Sequence, residues 1–303
     1  MLRGLYTAAA GMISEQRRHD TITNNIANIN SPGFKQGNAL SRSFPEMLIS
    51  TIRGGQGAST APLGKMSLGV FSEESISIHA QGDLQETQNP FDFALVSNIQ
   101  VQDENTGEFL NFDASGKFVN ADGERTFQPQ ALFTVLDAEG EQRYSLNGKF
   151  TVDTAGQLVN ANGNLVLGRD GQPLLLIDGA GQPIRTFKVT DKGEFLDGDG
   201  RPLLGPTGQP VGLMLSRAQD PNLLLRKGNG LLQINPGDEA TVTQVAPGDQ
   251  VVVRQGFIER SNVDSAQSMV DMMSALRAYE ANQKVIQSYD KSMEKAANEV
   301  GRV

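Results

Sequence analysis

Thr23-Asn24-Asn25-Ile26-Ala27-Asn28-Ile29-Asn30-Ser31-Pro32-Gly33-Phe34-Lys35 is where this chain changes character. Asn tolerates left-handed backbone and Pro-Gly favours a tight turn, so a helix arriving from the N-terminal side has a physical reason to stop here. Upstream, Leu2, Leu5, Ala9, Met12, Gln16, His19, Thr23 and Ile26 recur at spacings of three and four. That spacing predicts a helix over Leu2–Ile26 with one narrow stripe, apolar at its start and polar in its middle.

A second junction mirrors the first. Arg254-Gln255-Gly256-Phe257-Ile258-Glu259-Arg260-Ser261-Asn262-Val263-Asp264 leads into a stretch with no Pro or Gly from Phe257 to Val300. Ala266, Met269, Met273, Leu276, Ile286, Met293 and Val300 form its stripe, widened by Met272, Tyr279, Val285 and Tyr289. A helix starting near Val263 would run about 55 Å at roughly 1.5 Å per residue. Ser261, Asn262 or Asp264 can cap it, and Asp264 with Gln267 has capping-box spacing. By itself a Met- and Ala-rich stripe describes an ordinary bundle or core face. The short signatures beside each helix are what single these ends out.

Between the junctions the pattern is β. From Phe91 to about Val253, short apolar runs are separated by Asp-Gly, Asn-Gly and Ala-Gly turns. Gly116-Lys117-Phe118-Val119-Asn120-Ala121-Asp122-Gly123 echoes the stretches from Gly156 to Gly163 and from Gly193 to Gly200. These are too few and uneven for a solenoid and predict hairpins in one or two small sheets. Nearer the first junction, Phe44–Arg53 reads as a short helix, Gly54–Ser59 as a mobile loop, and Ile76 and Ile78 as a half-buried strand. The 33 Gly, 13 Pro and absence of Trp agree with a turn-rich β body and a modest core.

Composition narrows the chemistry. With 303 residues the chain can hold two or more compact units. The absence of Cys excludes disulfides and thiolate catalysis, and a net charge of −9 argues against nucleic acid or anionic lipid as partner. Residues 91–140 carry nine Asp or Glu against Lys117 and Arg125, a segment expected to face water. The longest strongly apolar run, Leu174–Ile177, is far short of the roughly 20 residues of a membrane span. The first residues hold Tyr6, Thr7 and two glycines, a poor match to a cleaved secretory signal. Asp113, Ser115, Lys117 and Glu124 mimic calcium-loop spacing, but Lys occupies a ligand position and Phe118 replaces the required Gly, so hairpin turns are expected. His19 and His79 alone are too few soft ligands for zinc. There is no Gly-x-Ser-x-Gly elbow, and Gly179-Ala180-Gly181 lacks the rest of a dinucleotide loop. No catalytic, cofactor-binding or metal-ligating residue is assigned.

Asn24 to Lys35, Gln255 to Val263 and Arg277-Ala278-Tyr279-Glu280-Ala281-Asn282 resemble, in order, three motifs of the axial proteins of the bacterial flagellar rod and hook. Gly82–Thr87 with Phe91–Leu95 resembles that family's entry into its outer β domain, and Asn147–Asp153 with Gly156–Val159 its strand-turn-strand element. The opening Met1–Met12 and the stretch Phe44–Leu48 are most similar to rod proteins of Gram-positive basal bodies and to the proximal and distal rod proteins. Residues 54–69 and 99–128 have no clear counterpart.

The resemblance implies a mainly β protein with two long terminal α-helices, in which a discontinuous helical-pair domain joins a central all-β domain. Residues 1–35 with 257–303 would form a terminal coiled-coil domain, 36–81 with 211–256 the connecting extended segments, and 82–210 the β domain, with 99–128 as an insertion. It implies a structural subunit, not an enzyme, polymerising into the helical drive shaft that carries torque from motor to hook. No cofactor is implied. Partners would be copies of itself, other rod and hook subunits, and the flagellar type III export apparatus. The location would be the basal body, reached without cleavage of the N-terminus. Leu2, Leu5, Ala9, Met12, Ile26, Met269, Met273, Leu276, Tyr279, Ile286 and Met293 are the expected assembly seam. Asn24, Asn25, Ala27, Asn28, Asn30, Pro32, Gly33, Phe34, Gly256, Ser261, Asn262 and Val263 are the expected motif turns. The rival readings are a hook-type axial protein, a secreted β-rich adhesin whose helices pack only on its own core, and a hydrolase hidden in the β middle.

Overall fold

The computed structural model describes residues 2–50, 62–67, 69–73, 75–103, 107–113, 115–120, 123–177, 184, 186–205, 208–235, 237–238, 241–246 and 248–300. The loop Gly54–Ser59 and the stretch Gly179–Gly181 lie outside the described residues. The protein is mainly β, with one helix at the N-terminal end and one at the C-terminal end. It divides into two compact units: residues 1–27, 37–76 and 264–303, and residues 28–36 with 77–263.

The first unit holds α1 (Leu2–Ala27) and α2 (Ser265–Lys295), the latter followed by a wide π turn, Ala296–Val300. Asp264 caps α2, its side chain accepting the Gln267 N–H at 3.0 Å. This satisfies one of the amides a helix start leaves open. α1 and α2 run antiparallel, because Gly4 faces Tyr289, Gly11 faces Asn282, and Arg18 reaches Asp271. Against α1 lies a hairpin in which Ser41–Ser43 pairs with Val70–Ser72 and Met47–Ser50 with Pro62–Met66. Gly69 sits on Thr7 and Ala10, and Arg17 donates to the Ser72 carbonyl at 3.3 Å. Met47–Ser50 is thus a strand, correcting the helix expected over Phe44–Arg53, of which residues 51–53 lie outside the described residues. β-branched Ile49 suits a strand, and pairing with Pro62–Met66 outweighs a helical spacing only ten residues long.

The second unit is built on an antiparallel sheet of nine described strands. Gln130–Leu136 is its axis: it pairs with Gln142–Ser145 on one side, and with Leu215–Ala218 and Leu165–Val166 on the other. Phe93, Phe133, Phe150, Phe187 and Phe195 fill the core beneath it, with neighbouring rings 5.2–6.1 Å apart. Such aromatic contacts contribute about 0.5–1.5 kcal/mol each beyond their buried area.

The hairpins expected from the repeats are present, and they obey one rule. In Asp153-Thr-Ala-Gly156-Gln157, the Gly156 N–H donates to the Asp153 carbonyl and the Asp153 N–H to the Gln157 carbonyl. The same two bonds recur at Asp113, Asn120, Asp137, Asn160, Gly168, Thr190, Asp197 and Gly205, each time with a positive-φ Gly three residues on. Only glycine takes that φ at no steric cost, which is why the sequence shows the turn as a recurring Gly. Three of these turns form a unit that occurs twice, shifted by 37 residues from Asp153 to Thr190. Longer bonds repeat with the same shift: Leu158 N–H to Leu174 and Phe195 N–H to Val211, Leu176 N–H to Gly156 and Leu213 N–H to Gly193. The sequence echo at 156–163 and 193–200 is therefore part of an internal duplication of fold.

Candidate assembly interface

In α1 the buried side is Ala8, Gly11, Ser14, Ile22 and Asn25. In α2 it is Ser268 and Ala275, with Met272, Tyr279, Asn282, Ile286, Tyr289 and Met293 half-buried at spacings of three and four. The close approach rests on small residues. A Cβ on Gly4 would overlap the Tyr289 phenol, and one on Gly11 would lie 2.9 Å from Asn282 Nδ2. Gly4 and Gly11 are one heptad apart, as are Tyr289 and Asn282, so large groups of α2 seat on glycines of α1.

The expected seam residues therefore fall into three sets. Tyr279, Ile286 and Met293 of α2 lie along the line facing α1, and Leu5, Ala9, Met12 and Ile26 of α1 are half-buried, one position to the side of its innermost line. Met269 is 56% exposed and Leu276 43%, and with Val270 and Met273 they form a second apolar face on α2. Tyr6, 68% exposed, and Ile13 do the same on α1. The Leu2 side chain lies outside the described residues. Pattern reading could find the apolar stripes but placed the inner line one residue away, because it weights large apolar residues and the inner line of α1 is small. The informative signal was Gly4, Ala8 and Gly11.

The motif turns meet in the second unit, apart from Asn24, Asn25 and Ala27 at the end of α1. There Asn25 accepts the Gly37 N–H at 2.9 Å and donates to the Gly37 carbonyl at 2.8 Å, holding the chain as it leaves the helix. Gly33 donates to the Glu259 carbonyl at 2.8 Å, and a Cβ on it would lie 2.6 Å from the Leu146 carbonyl carbon. Asn262 accepts the Gln36 N–H at 2.7 Å and donates to the carbonyls of Ile78 and Ala80. Gly256 donates to Asp92 and accepts from Thr87, between a strand paired with Phe93–Ser97 and one paired with Leu84–Glu86. Val263 is buried, and its N–H reaches Ser261 Oγ at 3.4 Å. Asn28 is half-buried and its carbonyl accepts the Ser31 N–H. Asn30, Pro32 and Ser261 line a cleft of about 560 Å³ with Asp83, Gln85 and Arg260.

Residues that sequence reasoning missed complete this joint. Lys35 Nζ lies 2.6 Å from Glu259 Oε1, with side chains only 2% and 3% exposed. Lys35 also donates to the Ala80 carbonyl at 2.9 Å, and Glu259 accepts the Gly82 N–H at 2.8 Å. The Arg226 guanidinium sits 4.6 Å over the Phe34 ring and donates to the Lys35 carbonyl at 2.6 Å. His79 Nδ1 contacts Gln130 Oε1 at 2.7 Å. Burial is the main cause that brings its pKa down to about 4; the Gln130 bond opposes this, and the nearby charges of Lys35 and Arg226 add to it. Asp113 accepts from Ser115 and from the Lys117 N–H, so its carboxylate closes a turn.

Fold and site together define a β-bodied structural subunit with paired terminal helices, its signatures gathered where the chain enters and leaves the β body. Three family descriptions match in chain order: "Flagella basal body rod protein" over residues 5–35, "Flagellar hook protein FlgE/F/G D1 domain" over 126–213, and "Flagellar basal body rod FlgEFG protein C-terminal" over 254–299. The flagellar hook-basal body complex protein FlhO of Bacillus subtilis (strain 168) is 34% identical, covering 100% of both chains. The flagellar basal-body rod protein FlgG of the same organism is 26% identical over 98% of this chain and 99% of its own. FlgG of Agrobacterium fabrum is 29% identical over 95% and 96%. The chain belongs to the flagellar basal-body rod protein family, a family of structural flagellar proteins. No helix among the described residues is long and apolar enough to cross a membrane.

Proposed function

We propose that this structural subunit of the flagellar rod polymerises with its own copies and with other axial proteins, and that the resulting shaft passes torque from motor to hook. One observation carries the reading: α1 and α2 already cover one another, yet Tyr6 and Ile13 on one and Met269, Val270, Met273 and Leu276 on the other remain uncovered. Apolar faces of this kind on paired helices mark sites of association. Contacts that are heterologous and do not close in a ring give a helical shaft.

In this reading the helices of the first unit do the packing and the second unit, residues 28–36 with 77–263, is the β body, which moves the expected division (1–35 with 257–303, 36–81 with 211–256, 82–210) to the boundaries of those units. Residues 99–128 are an insertion toward solvent, tolerant of deletion only beyond Ile99, which is buried. Apart from Ile22 the inner line of α1 is small or polar, so the free subunit holds its helices loosely and orders them on assembly. The chain leaves the cell through the flagellar type III export apparatus with its N-terminus intact, acts in the basal body, and catalyses no reaction.

The test is a comparison of hydrogen exchange in free subunit and polymer. Exchange of residues 2–27 and 265–300 should slow on assembly while the β body stays unchanged. Equal protection of the helices in both states would overturn the reading.

A further inference from the structure

The buried pair Lys35–Glu259 joins residues 224 positions apart, one from each family motif. Two backbone groups of the joint answer to them directly, and Asn262 ties the same segments independently. Glu259 holds the Gly82 N–H, Lys35 holds the Ala80 carbonyl, and Asn262 ties Gln36 to Ile78 and Ala80. A Cβ at Gly82 would strike the Arg260 carbonyl, so this packing leaves no slack. A buried ion pair adds little net stability, whereas one of its charges buried without the other is strongly unfavourable.

We infer that Lys35 and Glu259 form a closure latch: segment 33–36 docks into the second unit only when segment 257–262 is present to neutralise it. Without Glu259, an ammonium group would have to be buried against a single carbonyl. Without Lys35, a carboxylate would be buried against a single N–H. The joint therefore stays open until nearly the whole chain is available, and then both motifs seat together. This holds whether or not the chain polymerises, since it concerns the isolated subunit.

The Ile78 amide is the reporter, because it donates to the Gln36 carbonyl at 2.8 Å and touches neither charged group. In the full-length chain, Lys35→Met and Glu259→Gln should each speed exchange at Ile78 by about 100-fold. The double variant keeps an acceptor for Gly82 and removes both charges, and should return to within roughly tenfold of the native rate. Ile78 as protected in Glu259→Gln as in the native chain would overturn the latch. So would a double variant no better than the worse single one, since that would make shape rather than charge the condition. During refolding, pulse labelling should protect Ile78 together with Asn262 in the native chain and ahead of it in the double variant. Protection of Ile78 well before Asn262 in the native chain would also end the proposal.

Discussion

His79 is neutral in the folded chain at neutral pH, and its surroundings set the cost of changing that. Its folded pKa of about 4 lies below the ordinary 6.5, so between those values the unfolded chain binds more protons than the folded one. Stability carried by neutral His79 is complete above pH 6.5 and is lost as pH falls toward 4. The full loss is about 3 kcal/mol, taking about 1.4 kcal/mol per pKa unit. Urea midpoints should drop between pH 7 and pH 4 in the native protein and much less in His79→Gln. A common slope in both would place the acid sensitivity elsewhere. At this scale the sequence was least legible. Lys35 follows a Pro-Gly turn and Glu259 ends a short strand, and no local period announces that two charged residues so far apart share one buried site. Gly33, Asn262 and Val263 were legible because their motifs are short and contiguous.

The two helices were readable as elements, since both carry a stripe every three or four residues and α2 is in addition a long stretch free of Pro and Gly. Which side faces the partner was harder to read. Large apolar residues dominate a pattern search, while the α1–α2 contact is made by Gly4, Ala8 and Gly11 against Tyr289 and Asn282. Gly11→Leu should wedge the pair apart. Exchange in α1 and α2 would rise while the amides of Gln130–Leu136 remain as protected as before, and unchanged helix protection would contradict the seating. Leu276→Asp acts on the opposite face. Leu276 is largely exposed in the single chain, so the free protein should lose less than about 1 kcal/mol of stability, yet fail to assemble because the polymer would bury an unpaired charge. Normal motility of cells carrying Leu276→Asp would remove that face from the interface. At Met47–Ser50 an apolar spacing over ten residues fits either period, and pairing with the distant segment Pro62–Met66 decides.

Charge is divided unevenly over the whole molecule. Residues 1–27, 37–76 and 264–303 hold eleven Lys or Arg and eleven Asp or Glu, and the remaining residues 15 and 24, which accounts for the entire net charge of −9. A neutral packing unit and an acidic β body oppose one another in any polymer, through contact and through repulsion. Raising salt from about 20 to 500 mM shortens the screening length severalfold and should lower the critical concentration for polymerisation. Sedimentation of the purified chain across that range would show it, and a critical concentration that rises with salt would mean that ion pairs drive assembly. The duplicated 37-residue element has a consequence of its own. Each copy closes its own bonds, Leu176 to Gly156 in one and Leu213 to Gly193 in the other. The copies also bond to one another, the Arg169 N–H to the Gly212 carbonyl and that of Met214 to the Leu167 carbonyl, so a lineage that lost one would strip partners from the other, and the pair is expected to be kept or lost together.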